Sequence, residues 1–151
     1  MGKELEKITN ILNKYLKPFD CEAVSGTDFA YYPNENVISY ALAVIDNFEE
    51  SFIKFAESLH PDVHADIFLW SLFHELGHHE TEDEFDDEDE VQYLKLSTIC
   101  KDDWEYYNIP QEKAATDWAG WYMETHAADV GQLWNDLAPA IQDFYKAMEV
   151  M

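Results

Sequence analysis

A chain of 151 residues that is 47% hydrophobic and 15% aromatic has enough apolar material for one packed domain and too much for a disordered segment. Its formal charge of -23, from 32 acidic against 9 basic residues, excludes direct nucleic-acid binding through the phosphate backbone and favours basic proteins, basic peptides and metal cations as partners. No apolar run is long enough to span a membrane, and the N-terminal stretch "MGKELEKITNILNKYLKPFD" lacks the apolar core of a signal peptide. Cys21 and Cys100 form no C-x-x-C pattern and read as two free buried thiols, so the expected location is the cytoplasm.

Leu5, Ile8, Ile11, Leu12, Tyr15 and Leu16 recur at helical spacing, and Pro18 ends that helix. Two short β-prone runs follow, about 28–32 and 36–41, bracketed by Ser-Gly and Pro-Asn-Glu-Asn, and they predict an antiparallel hairpin. A helix is expected from about Val44 to Leu59, stopped near His60-Pro61, with Asp62 as the cap of a next helix from about Val63 to His79. The run "ETEDEFDDEDE" at 80–90 reads as a solvated loop, because adjacent like charges repel in a compact arrangement. A short helix from Val91 to Cys100 is expected next, then a break at "KDDWEYYNIP", a helix over about 111–128, and a last helix over about 130–149 that Pro139 interrupts or kinks. The sum is one α+β domain over 1–151, mostly helical and compact, with a small antiparallel β element ahead of the main buried helix.

That buried helix, "ADIFLWSLFHELGHH", carries His74, Glu75 and His78 in the pattern H-E-x-x-H. Residues four apart on a helix lie one above the other, so His74 and His78 can offer two imidazole nitrogens to one metal ion. Glu75 lies one step round the helix, placed to act on a water at that metal rather than to bind it. A zinc site of this kind needs a third protein ligand. Glu112 is the first choice, because its helix presents Ala115, Thr116 and Ala119, small residues that permit close approach to the motif helix. Asp117 competes from another face of the same helix, while Glu105 and the acidic run offer flexible donors that position a metal poorly. His79 points away from His78 and reads as a surface residue, and His60 and His64 have no partner at ligand spacing. His126, Tyr106, Tyr107 and Tyr122 are the residues that could stabilise a developing oxyanion, each of them equally readable as simple packing.

"FHELGHH" followed downstream by "EKAATDWAGWYM" resembles the small zincin domains of the ImmA/IrrE type, in which H-E-x-x-H precedes a glutamate placed four residues before the Asn of an "A-N-x-F-A"-like stretch. Here Ala115 to Ala119 match that stretch, with Thr116 where Asn is usual and Trp118 where Phe is usual, and counting back four from Thr116 gives Glu112. The hairpin "FAYYPNENVISYA" resembles the β element that such domains place before the motif helix. The likeness covers roughly residues 20 to 128. An "L-L-M-P" ending is absent, and the acidic run at 80–90 is a departure. The resemblance implies a zinc-dependent gluzincin-type metallopeptidase that acts on a regulatory or repressor protein of a phage or mobile element. In that reading Zn²⁺ is held by His74, His78 and Glu112, and Glu75 is the general base toward a metal-activated water. The charge admits a different class of function, an acidic protein that mimics DNA and blocks a basic partner without turnover.

Overall fold

The computed structural model describes residues 2–42 and 46–149, with side chains at all of these except 46–49. In chain order the elements are α1 (Gly2–Leu16), β1 (Glu22–Ser25), β2 (Ala30–Tyr32), β3 (Val37–Tyr40), α2 (Asp46–Leu59), α3 (Ile67–Thr81), α4 (Asp87–Ile99), α5 (Asp103–Tyr107), α6 (Pro110–Thr125) and α7 (Ala127–Glu149). The fold is α+β and mostly helical. The described residues gather into two compact units, one formed by 1–43 with 126–151 and the other by 44–125. Among the described residues no helix is long and apolar enough to cross a membrane.

In the first unit α1 packs on α7 and on β1. Ile8, Leu12 and Leu16, spaced four apart, form the fully buried stripe of α1. Pro18 sits in a single 3-10 turn after Leu16, and Asp20 in the left-handed region (φ 58°) redirects the chain into β1. The expected hairpin is present as β2 and β3, antiparallel with Ala30 opposite Ser39, and Asn36 (φ 52°) takes the left-handed position of its turn. The sheet is not purely antiparallel, however. β1 pairs in parallel with β3, in the order β1-β3-β2, and Asn13 Oδ1 of α1 accepts the Ala23 backbone N–H at 2.6 Å. β1 has only one buried residue in its burial pattern, too little alternation for the sequence to announce a strand. Pro139 lies inside α7 without interrupting it.

The second unit is built on α3, which is buried along most of its length through Phe68, Leu69, Trp70, Leu72, Phe73 and Leu76. The residue that caps it is Asp66 rather than Asp62, its carboxylate accepting from the Phe68 backbone N–H at 2.8 Å. Pro61 and Asp62 instead form a turn, closed by Val63 N–H donating to the His60 carbonyl at 3.1 Å. The expected start of α2 at Val44 lies outside the described residues. From α2, Phe52 and Phe55 pack against Tyr107 of α5 at ring-centroid distances of 5.6 and 5.3 Å.

The acidic run is the clearest correction to the sequence reading. The run is solvated as expected but is no loop: 80 and 81 end α3, 82–84 form a 3-10 turn, and 87–90 are the first turn of α4. Asp86 and Asp89 form a reciprocal capping box, each side chain accepting the other residue's backbone N–H at 2.9 Å. The positive end of the helix dipole and its unpaired N–H groups accommodate the carboxylates that mutual repulsion was expected to drive apart. A one-way cap, with the Asp102 carboxylate accepting the Glu105 N–H, opens α5 in a stretch whose pattern reads as a break.

α3 packs most extensively on α6, where Ala115 and Ala119 are fully buried and Thr116 nearly so. The approach is close enough that a Cβ at Gly77 would overlap the Ala115 carbonyl oxygen and lie 3.0 Å from its carbonyl carbon and Cα. Alanine in place of glycine ordinarily favours a helix by about 1 kcal/mol. Here the obstacle is backbone, which no rotamer change relieves, and overpacking of that kind costs about 1–3 kcal/mol. Gly77→Ala is therefore expected to lower the melting temperature in thermal denaturation, and a raised one would show that the two helices part without cost.

Candidate metal centre

His74 and His78 stand one turn apart on α3, their rings 4.7 Å apart and nearly perpendicular. Pro110 opens α6 at a position where its missing N–H costs nothing, and Glu112 follows in the first turn, where the helix dipole favours a carboxylate. The close packing of α6 on α3 brings this carboxylate, 5% exposed, against both imidazoles. Glu112 Oε1 lies 3.1 Å from His74 Nε2 and Oε2 lies 3.2 Å from His78 Nε2. The three prospective ligand atoms lie within 4.8 Å of one another.

The tautomer of His74 follows from a count of protons. Thr116 Oγ1 donates its single hydrogen to the Glu112 backbone carbonyl one turn earlier, at 3.2 Å. The contact of 2.9 Å between Thr116 Oγ1 and His74 Nδ1 must therefore be donated by Nδ1–H. That assignment makes Nε2, 3.1 Å from Glu112 Oε1, the atom of His74 that would turn a lone pair to a metal ion. Phe52 meets the same ring edge-on at 5.3 Å and limits its rotation.

Two imidazole nitrogens and a carboxylate cannot face one another at such distances unless a proton or a metal ion lies between them. Burial alone would push Glu112 up, but hydrogen bonds from His74 and His78, and the charge on both, hold it far below the usual carboxylate range. His78 shows the reverse balance. Burial pulls it down, yet the hydrogen bond and charge of Glu112, with smaller contributions from Glu75 and Glu90, raise it above its ordinary value of 6.5. A pair of imidazoles and one carboxylate is also a donor set that suits a borderline ion such as zinc. The residues present fit such an ion.

Glu75 is buried, 8% exposed, its charge acts on His78 and on Tyr106, and it lies outside the His74, His78 and Glu112 group. Asp117, the competing third ligand, is instead bound to His60 Nε2 at 2.7 Å with its side chain largely exposed. Glu105 accepts the Lys101 backbone N–H. His64 pairs with Glu57 at 3.1 Å. His79 is half-buried and lies outside the triad. His126 falls past the end of α6, in the other unit. Tyr107 is buried and contacts Ser51 Oγ at 3.0 Å, while Tyr122 stacks on Trp118 with ring centroids 5.0 Å apart.

Tyr93 is the residue that the sequence reading missed. It donates to Glu112 Oε2 at 2.8 Å, and its oxygen lies 3.1 Å from that of Tyr106. Burial first, then the charge of Glu112, raises the pKa of both phenols, so both are present as O–H donors. Nothing local marks Tyr93 among nine tyrosines, since its position depends on how α4 lies against α6, where Gln111 Nε2 donates to the Asp89 carbonyl at 2.9 Å. The role of Thr116 was more accessible, because Thr116 lies one turn after Glu112 on the same face.

No family model, curated protein or solved structure matches the chain. The likeness to a family therefore rests on the motif residues alone.

The two titrations set the pH dependence of the metal-free protein. The depressed pKa of Glu112 gives stability that is fully present above its ordinary value of 4.5 and is lost as pH falls through the folded value. The raised pKa of His78 gives stability that is fully present below 6.5 and is lost as pH rises through the folded value. Chelator-treated protein is expected to be most stable between those limits and to lose melting temperature as pH rises above 6.5. Glu112→Gln should flatten the alkaline arm. A wild-type profile without that arm would contradict the assigned charge pairing.

Proposed function

We propose that the 44–125 unit carries a zinc-dependent metallopeptidase site of the gluzincin type, with His74, His78 and Glu112 as metal ligands and Glu75 as general base. The observation that carries the proposal is the convergence of His74 Nε2, His78 Nε2 and the Glu112 carboxylate from two closely packed helices. The resemblance to ImmA/IrrE-type zincins supports the same assignment, since its motif selects the same glutamate. Zn²⁺ at such a site supplies a Lewis acid and lowers the pKa of a bound water toward neutrality.

The protein's own groups supply the remainder. Thr116 holds His74 in the tautomer that presents Nε2, and Phe52 fixes the plane of the ring. Glu75, buried and three residues before His78 on α3, would take a proton from the attacking water and return it to the leaving amine. The strongly acidic chain favours a basic protein or peptide substrate, such as a DNA-binding regulatory or repressor protein of a phage or mobile element. Free thiols at Cys21 and Cys100, the first buried and the second half-buried, suit a cytoplasmic setting.

The charge of -23 favours a second reading, an acidic DNA mimic that binds a basic partner stoichiometrically on the same scaffold. Glu75→Gln separates the two. Under the peptidase reading it retains metal and loses turnover of a basic protein substrate by about two orders of magnitude or more. Under the mimic reading binding persists unchanged and no cleavage product forms. The metal assignment itself is checked by elemental analysis of wild type and Glu112→Ala in parallel. About one zinc per chain is expected in the wild type and little in the variant, and zinc fully retained without Glu112 would overturn the ligand set.

A further inference from the structure

The hydrogen bond from Tyr93 to Glu112 has a directional consequence. A phenol has one hydrogen, and Tyr93 commits it to Glu112 Oε2 at 2.8 Å. The 3.1 Å contact between the Tyr93 and Tyr106 oxygens must then be donated by Tyr106. The protons run in one direction, from Tyr106 on α5 to Tyr93 on α4 to Glu112 on α6. Tyr106, a candidate oxyanion donor from sequence, thus has its hydrogen already engaged. Glu112 Oε2, which also lies 3.2 Å from His78 Nε2, accepts the end of this chain of donors, whereas Oε1 lies 3.1 Å from His74 Nε2.

We propose that Tyr93, backed by Tyr106, is a positioning residue that holds Glu112 as a one-oxygen metal ligand and thereby selects ions that accept four ligands. The inference rests on the metal site proposed above. A carboxylate with one oxygen engaged by a strong donor has a single oxygen to offer, whereas a free one can grip an ion with both. Zinc and cobalt accept a tetrahedral set of two imidazoles, one carboxylate oxygen and a water, while magnesium, calcium and manganese favour more oxygen donors. The bond is also charge-assisted, a phenol donating to a carboxylate, at a position where Glu112 is 5% exposed.

The test uses full-length wild type, Tyr93→Phe and Tyr106→Phe, stripped with chelator and reloaded separately with Zn²⁺ and Co²⁺. Loss of the Tyr93 donor is expected to weaken zinc affinity about 10- to 100-fold, read by competition with a chromogenic chelator. The visible bands of bound Co²⁺ should lose intensity as coordination rises above four. Tyr106→Phe leaves the Tyr93 donor in place and should shift both readouts in the same direction by less. A packing role alone would change the melting temperature of metal-free protein and leave the cobalt spectrum of the loaded protein as it is. Wild type that binds both ions, with variants matching it in affinity and spectrum, would overturn this inference alone. If Tyr93→Phe does not fold, an unaltered cobalt spectrum in Tyr106→Phe has the same force. Wild type that binds neither ion would overturn the metal site itself, and the role of Tyr93 with it.

Discussion

At Gly77 the backbone of α3 lies against the Ala115 carbonyl of α6, with no room for even a methyl group between them. That approach sets the geometry of the site. Gly77 lies between Glu75 and His78, and Ala115 lies between Glu112 and Thr116, so the tightest point of the helix pair is flanked on both sides by the polar groups that meet. Helices with larger side chains at this crossing would stand farther apart, as interaxial distance depends on the residues at the contact. The Glu112 carboxylate would then fall short of His74 and His78, and Thr116 would lose its hold on the His74 ring. The glycine inside H-E-L-G-H is thus as much a part of the site as the residues that bear ligand atoms.

Close packing creates an electrostatic problem that the surrounding residues solve in part. A carboxylate and two imidazoles removed from water must each be hydrogen-bonded or charge-compensated. The protein answers with a hydrogen-bond partner on the outer side of each group, Thr116 accepting from His74 Nδ1–H and Tyr93 donating to Glu112, and turns His74 Nε2 and Glu112 Oε1 toward each other on the inner side. Satisfied outer atoms with ligand-type atoms facing one another inside are what a cation site needs. A structural cluster would gain more by interleaving donors and acceptors among its own members. In the metal-free state His78 and Glu112 stabilise each other's charged forms, which is why the two shift in opposite directions.

How much of this was legible in the sequence depends on the range of the interaction concerned. His74, His78 and the small face of α6 are local helix patterns, and Glu112 followed from them because two faces that must pack closely leave few positions for a third donor. Elements governed by short competing effects were misread. For 82–90, repulsion between neighbouring carboxylates points to a loop, but their attraction to unpaired N–H groups at a helix start outweighs it, and the capping box of Asp86 and Asp89 decides the matter. Asp62 and Asp66 are both plausible caps by type, and the turn at His60-Pro61 selects the later one. β1 is too short and too exposed to announce itself, and it exists because Asn13 and β3 supply partners from elsewhere in the chain. Tyr93 belongs to the same class, since its function is set by the position of a whole helix rather than by any neighbour in sequence.

The acidic run and the metal site are linked through α4. Its N-terminal turn gathers carboxylates that the helix dipole stabilises, and one of them, Glu90, acts on His78 through space. The same helix carries Tyr93 three residues later, so the element that adds negative charge near the site also donates to the Glu112 carboxylate. A negative field at the site has two effects of the same sign. It raises the local concentration of divalent cations, and it favours the approach of basic polypeptide over acidic polypeptide. Both effects weaken as salt screens the exposed carboxylates, whereas the bond from Tyr93 to a buried glutamate is screened far less. Under the proposed reading, then, salt would reduce capture of substrate well before it loosened the metal. That separation follows from placing the exposed charges at the start of α4 and the anchoring phenol one turn further along it.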